Sequence, residues 1–155
     1  MLRALLLSLA LLAGCVTTHT PAPMFTAADL SHLKFLEGRW KGTGPDGQAF
    51  YEQYDFPDAV TFRSRRFPDA TFSAATDGSS VTLQDGEIIS RWGEYTWKAV
   101  ELKPELACFE PVNAPSSFCW RRTGANAAEA VQRWTDAEGK EQSYTVPLER
   151  LPDRP

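Results

Sequence analysis

Beyond Gly38 the chain is broken at short intervals by turn signals, and this spacing constrains the fold more than any other feature. They stand at Gly44-Pro45-Asp46-Gly47, Phe56-Pro57-Asp58, Phe67-Pro68-Asp69, Asp77-Gly78, Asp85-Gly86, Lys103-Pro104, Pro111 to Ser116, Gly124-Ala125-Asn126 and Asp136 to Gly139. Between them run short segments that alternate with period two: Phe50/Glu52/Tyr54, Val60/Phe62/Ser64, Val81/Leu83, Ile88/Ser90/Trp92, Tyr95/Trp97/Ala99, Phe118/Trp120/Arg122 and Tyr144/Val146/Leu148. Such alternation marks strands with one face turned to a core. Short strands joined by tight turns predict an all-β fold, an antiparallel up-and-down β-barrel of about 8–10 strands. A β-sandwich is the main alternative.

One short helix precedes the strands. Thr26 and Asp29 have the spacing of a capping box, Phe25 and Leu30 that of a hydrophobic staple, and Leu30, Leu33 and either Leu36 or Phe35 form an apolar stripe that ends at Gly38. The length suits one domain with a single core. A net charge of −4 without a basic run argues against nucleic acid as a partner.

Of the three cysteines, Cys108 and Cys119 flank the Pro111–Ser116 loop symmetrically. Folding the segment about that loop sets them opposite each other, which predicts a cross-strand disulfide in preference to two buried thiols. The third, Cys15, closes a different pattern. Arg3, the apolar run Ala4 to Leu12 and a small-residue pair before the cysteine read as an export signal, too short to span a membrane. The ending Leu12-Ala13-Gly14-Cys15 resembles the lipobox of bacterial lipoproteins, which implies acylation of Cys15 and removal of residues 1–14. Multiple acyl chains would anchor the protein stably in a membrane. Val16 after the cysteine resembles lipoproteins sorted to the outer membrane, so the expected location is the bacterial cell envelope, facing the periplasm. Three parts are expected: a signal peptide over 1–14, the lipidated cysteine with a Thr- and Pro-rich tether over 15–25, and the barrel over 26–152.

The segment Phe35-Leu36-Glu37-Gly38-Arg39-Trp40-Lys41-Gly42 resembles the opening of lipocalin-like (calycin) barrels. Together with Tyr51-Glu52-Gln53-Tyr54, the Phe109-Glu110-Pro111 turn and the closing strand Tyr144 to Leu151, it is similar to a bacterial lipocalin-like domain family of unknown function, family 6265. The calycin pattern implies that Trp40 closes one barrel end and stacks on a basic side chain from the last strand, here Arg150, in a structural role. Members of the family often carry a His-Asp pair in the loop after Phe109. This chain has Asn113, Ala114, Pro115 and Ser116 there. The more distant nitrobindin-like barrels hold haem through a late histidine, whereas the histidines here are His19 in the tether and His32 on the helix.

Neither histidine suits a catalytic triad, and no Gly-x-Ser-x-Gly elbow is present. Cys108 and Cys119 lack the spacing of a redox or zinc motif, and the glycines of 42–47 join two strands instead of opening a helix. No metal or cofactor is expected. What remains is a set of polar residues on apolar strand faces: Glu52, Ser90 and Arg122 among Tyr54, Trp92, Trp97 and Trp120. A small barrel interior either packs solid or encloses a pocket with a few placed polar groups. Glu52, Tyr54, Trp92, Trp97, Trp120 and Arg122 are therefore the candidate ligand-binding residues, with Arg122 the expected partner of a buried Glu52. The function expected first is binding of a small hydrophobic or amphipathic ligand. A protein-interaction or inhibitor lipoprotein acting through its loops comes second, and a hydrolase or isomerase using Glu52 third.

Overall fold

A computed structural model describes residues 24–152, so Cys15, the signal and most of the tether lie outside the described residues. Ten antiparallel strands follow one another around a closed barrel: β1 (Gly38–Thr43), β2 (Ala49–Asp58), β3 (Thr61–Phe67), β4 (Asp77–Gln84), β5 (Glu87–Trp92), β6 (Tyr95–Lys103), β7 (Leu106–Pro111), β8 (Ser117–Gly124), β9 (Ala127–Thr135) and β10 (Glu141–Leu151). Each strand pairs with the next in sequence, and β10 returns to β1, with Trp40 opposite Arg150. Closure leaves no edge strand to be blunted.

The helical segment starts as expected and continues differently. Thr26 and Asp29 form the capping box, and α1 (Ala27–Leu30) then tightens into a 3-10 helix (Ser31–Leu36). The cause is visible in the spacing. Leu30, Leu33 and Leu36 recur every three residues, the period at which a 3-10 helix places side chains in one row, and all three are fully buried. This segment packs on β6 and β7 and plugs one end of the barrel. The N–H of Phe25 bonds the Gly86 carbonyl in the β4–β5 turn, tying the start of the domain to that same end.

Two expected turns are displaced. Strand β2 runs through Phe56-Pro57-Asp58 with a bulge between Asp55 and Asp58, and the turn falls at Ala59 and Val60. Asp77-Gly78 opens β4 instead of forming a turn, because Gly78 lies so close to β3 that a Cβ there would sit 2.5 Å from the Ser64 carbonyl oxygen. Glycine at that position marks close approach of two backbones, not a reversal of the chain.

Ion pairs such as Arg63–Asp55 and Lys98–Glu87 lie on the outside, while the inside is lined mainly by aromatic and aliphatic side chains, with the Arg66–Glu52 pair among them. That is the reverse of a membrane-spanning barrel, whose outer band is apolar. Cys108 and Cys119 face each other in the β7–β8 register and are joined by a disulfide, with Cα atoms 4.1 Å apart.

Candidate functional site

The two halves of the barrel interior differ. Below, the three leucines of the plug, Trp40, Val81, Ile88, Leu102 and Ala107 form a solid core. Above them Tyr54, Phe62, Phe109 and Trp120 meet edge-to-face or stacked, with centroids 5.6 Å apart for Tyr54–Phe62 and 5.7 Å for Phe109–Trp120. Over this aromatic floor the other half holds a cavity of about 320 Å³. It opens between the loops at 44–48, 68–76, 93–94, 112–116 and 136–140, at the end opposite the helix.

Its wall is aromatic, with Phe50, Trp92, Tyr95, Trp97, Phe118 and Trp120 contributed by β2, β5, β6 and β8. Gly42 makes room for one of them. A Cβ there would lie 2.1 Å from the Phe50 ring, which occupies the space across from it. The loop after β7 forms part of the rim and is pinned to β6: Asn113 accepts the Thr96 N–H at 2.7 Å and donates to the Glu94 carbonyl at 2.9 Å. The Trp97 indole N–H donates to the Ser116 carbonyl at 2.7 Å.

Polar groups are placed sparingly. Glu52 accepts two hydrogen bonds from Arg66 on one oxygen, at 2.7 and 3.1 Å, and the Tyr54 hydroxyl donates to its other oxygen. The Arg66 guanidinium lies 4.4 Å over the Phe50 ring. Ser64 and Ser79 share a hydrogen bond of 2.8 Å, and Ser90 is buried in the wall. Further out, Asp77 accepts the Trp92 indole N–H at 2.6 Å.

Five of the residues singled out in the sequence, Glu52, Tyr54, Trp92, Trp97 and Trp120, line this cavity. Arg122 does not. It lies at the opposite end of β8, beyond the aromatic floor, where it bonds the Gly124 carbonyl and the Glu105 carboxylate. The ion-pair partner of Glu52 is Arg66, directly across from it in the β2–β3 register. The Phe62/Ser64 alternation, carried on by one more step, points to Arg66. Asp77 carried no such signal, being placed in a turn. Trp40 stands outside the cavity, 1% exposed, with Arg150 4.3 Å over its ring and its indole N–H donating to Leu36 at 2.6 Å.

Burial foremost, then the Glu52 charge and the hydrogen bond to it, raises the Tyr54 pKa well above 10. The unfolded chain ionises near 10 while the folded one keeps its proton, so stability falls as pH rises past that point, by up to about 1.4 kcal/mol per pH unit from this group. Tyr54→Phe keeps the ring and removes this contribution. Urea denaturation between pH 9 and 11.5 checks it: the variant is expected to lose stability less steeply than the wild type, and equal slopes would refute the assignment.

With both Glu52 oxygens engaged, the inner site is a charge-compensated polar cluster suited to orienting a ligand. Among the described residues, no group of three or more His, Cys, Asp or Glu side chains converges to hold a metal ion.

The fold and site define a ten-stranded antiparallel barrel plugged at one end and hollow at the other. The chain is similar to a redesigned β-barrel, at 14% identity and a TM-score of 0.37 over 78% of this chain and 96% of that one. It is also similar to a protein of unknown function from the DUF3598 family of Nostoc punctiforme, at 14% identity and a TM-score of 0.48, over 86% of this chain and 53% of that protein. This chain thus spans about half the length of the Nostoc protein. No family model matches the chain, and no curated protein matches it. The likeness to family 6265 rests on the motif residues alone.

Proposed function

We propose that this chain is a lipid-anchored binding protein of the bacterial cell envelope, which takes up a small apolar or amphipathic molecule in the open half of its barrel. The observation that carries this reading is the cavity itself. At about 320 Å³ it is near the lower end of the range for small-molecule sites, and it joins an aromatic wall to a few fixed polar groups, as such sites do. Packing alone would favour aliphatic residues where Glu52, Arg66 and Ser90 stand. Support for the location comes from Leu12-Ala13-Gly14-Cys15 and from the disulfide, which suits an oxidising compartment.

Native mass spectrometry of protein extracted from the envelope tests both halves: an acyl mass on Cys15 and a bound small molecule are expected. Decanoate, decyl glucoside and decylamine are then titrated against tryptophan fluorescence. At least one is expected to bind and to raise the Tm, and Trp97→Ala is expected to weaken it about tenfold. An unacylated Cys15 would overturn the anchor. Absence of binding by the wild type would overturn the pocket reading and favour contacts made through the loops.

A further inference from the structure

Resting on that reading of the cavity, we infer that the ligand carries a cationic head group, an amine or quaternary ammonium, seated at the rim between Asp77 and the rings of Trp92, Tyr95 and Trp97.

The charged lining comprises Glu52, Arg66 and Asp77. The first two neutralise each other through two hydrogen bonds, and Tyr54 takes the remaining carboxylate oxygen. The Arg66 charge is also stacked on Phe50, so the one strong cation that the described residues bring to the cavity is already committed. Asp77 is different. Its oxygens accept N–H groups from Trp92 and from its own neighbour Gly78, both at 2.6 Å, and it takes part in no ion pair among the described residues. The lining therefore carries one net negative charge, located at the rim.

The rings beside that charge suit a cation. Trp92 and Tyr95 face each other across the β5–β6 hairpin, and the Tyr95 and Trp97 centroids lie 6.1 Å apart. Trp92 is 43% and Tyr95 36% exposed, so both remain open to a ligand arriving from solvent. Indole and phenol faces attract ammonium groups, most strongly when the cation is partly desolvated. The surroundings have the same sign: the mouth loops carry Asp46, Asp69, Glu94, Asp136 and Glu138 against the single base Lys140. Such a field draws cations to the opening and repels anions. The tail would then lie inward on Trp97, Phe118 and Trp120.

The test uses decyltrimethylammonium, decyl glucoside and decyl sulfate below their micelle concentrations. They are titrated calorimetrically into the chain carrying Cys15→Ser, which keeps every barrel residue and removes the acyl chains that would compete with the probes. The ammonium probe is expected to bind at least fivefold tighter than the sulfate. Asp77→Asn, which keeps an oxygen for the Trp92 N–H, is expected to shrink that ratio below twofold, with the ammonium probe losing affinity relative to the uncharged glucoside. Sulfate binding as tightly as ammonium, or a ratio that Asp77→Asn does not move, would overturn the cationic assignment and leave the pocket reading standing. Binding of none of the three would overturn both.

Discussion

Replacing Trp40 with alanine is expected to lower the unfolding free energy by about 3–5 kcal/mol, the largest loss among the substitutions considered. The side chain is 1% exposed and sits where the helical plug enters the first strand. Three contributions vanish together. The core loses a large aromatic surface, the Leu36 carbonyl loses a hydrogen bond made at 2.6 Å, and Arg150 loses the ring beneath it at 4.3 Å. Arg150 also donates to the carbonyls of Phe35, at 2.6 Å, and Glu37, so its position ties the last strand to the end of the plug. For a domain whose whole stability is about 5–15 kcal/mol, such a loss is a large fraction of the total. Trp40→Phe separates the causes, because it keeps most of the packing and gives up the indole N–H at a cost of about 1 kcal/mol. Urea denaturation of both variants measures the effect. A cost below about 1 kcal/mol for Trp40→Ala would show that the plug is held by other contacts.

The second large effect is expected from the disulfide. Converting Cys108 and Cys119 to serine together should destabilise the fold by about 3 kcal/mol in the chain-entropy model and lower the Tm by roughly 10 °C. The bond closes the hairpin that ends in the Pro111–Ser116 loop, and Pro115 and Ser116 form part of the cavity rim. Its loss is therefore expected to weaken ligand binding as well as stability. The hydrogen bonds of Asn113 to β6 should retain part of the rim. Thermal unfolding with and without reductant reads the stability term. A Tm shift of less than about 3 °C would mean that the strand register alone holds the hairpin.

The placement of Glu52 shows where sequence reasoning stops. Its direction was legible, because Phe50, Glu52 and Tyr54 alternate with Gln53 and Asp55 and so share one face. Its partner was not. A turn centred on Pro57 would set Glu52 opposite Phe62, whereas the turn at Ala59 and Val60, with its bulge, sets it opposite Arg66. Arg122 has the inward parity too, yet it sits at the wrong depth along the barrel axis. Asp77 was hidden by the same kind of displacement, since Asp-Gly is a strong turn signal that here begins a strand. Both sites depend on register, and a shift of a residue or two in a turn changes every cross-strand neighbour.

By itself, then, the sequence determined what is local: the alternation that makes strands, the turns that make them short, the capping box at Thr26, and the symmetric cysteines that set the β7–β8 register. The helical plug at one end, the pairing of Glu52 with Arg66 and the hollow upper half were decided only by the tertiary structure. The reason is physical. A period of two reports which face a side chain occupies, but not how deep it lies or which strand stands across from it. Whether an interior is solid or hollow depends on side-chain volumes summed from all ten strands.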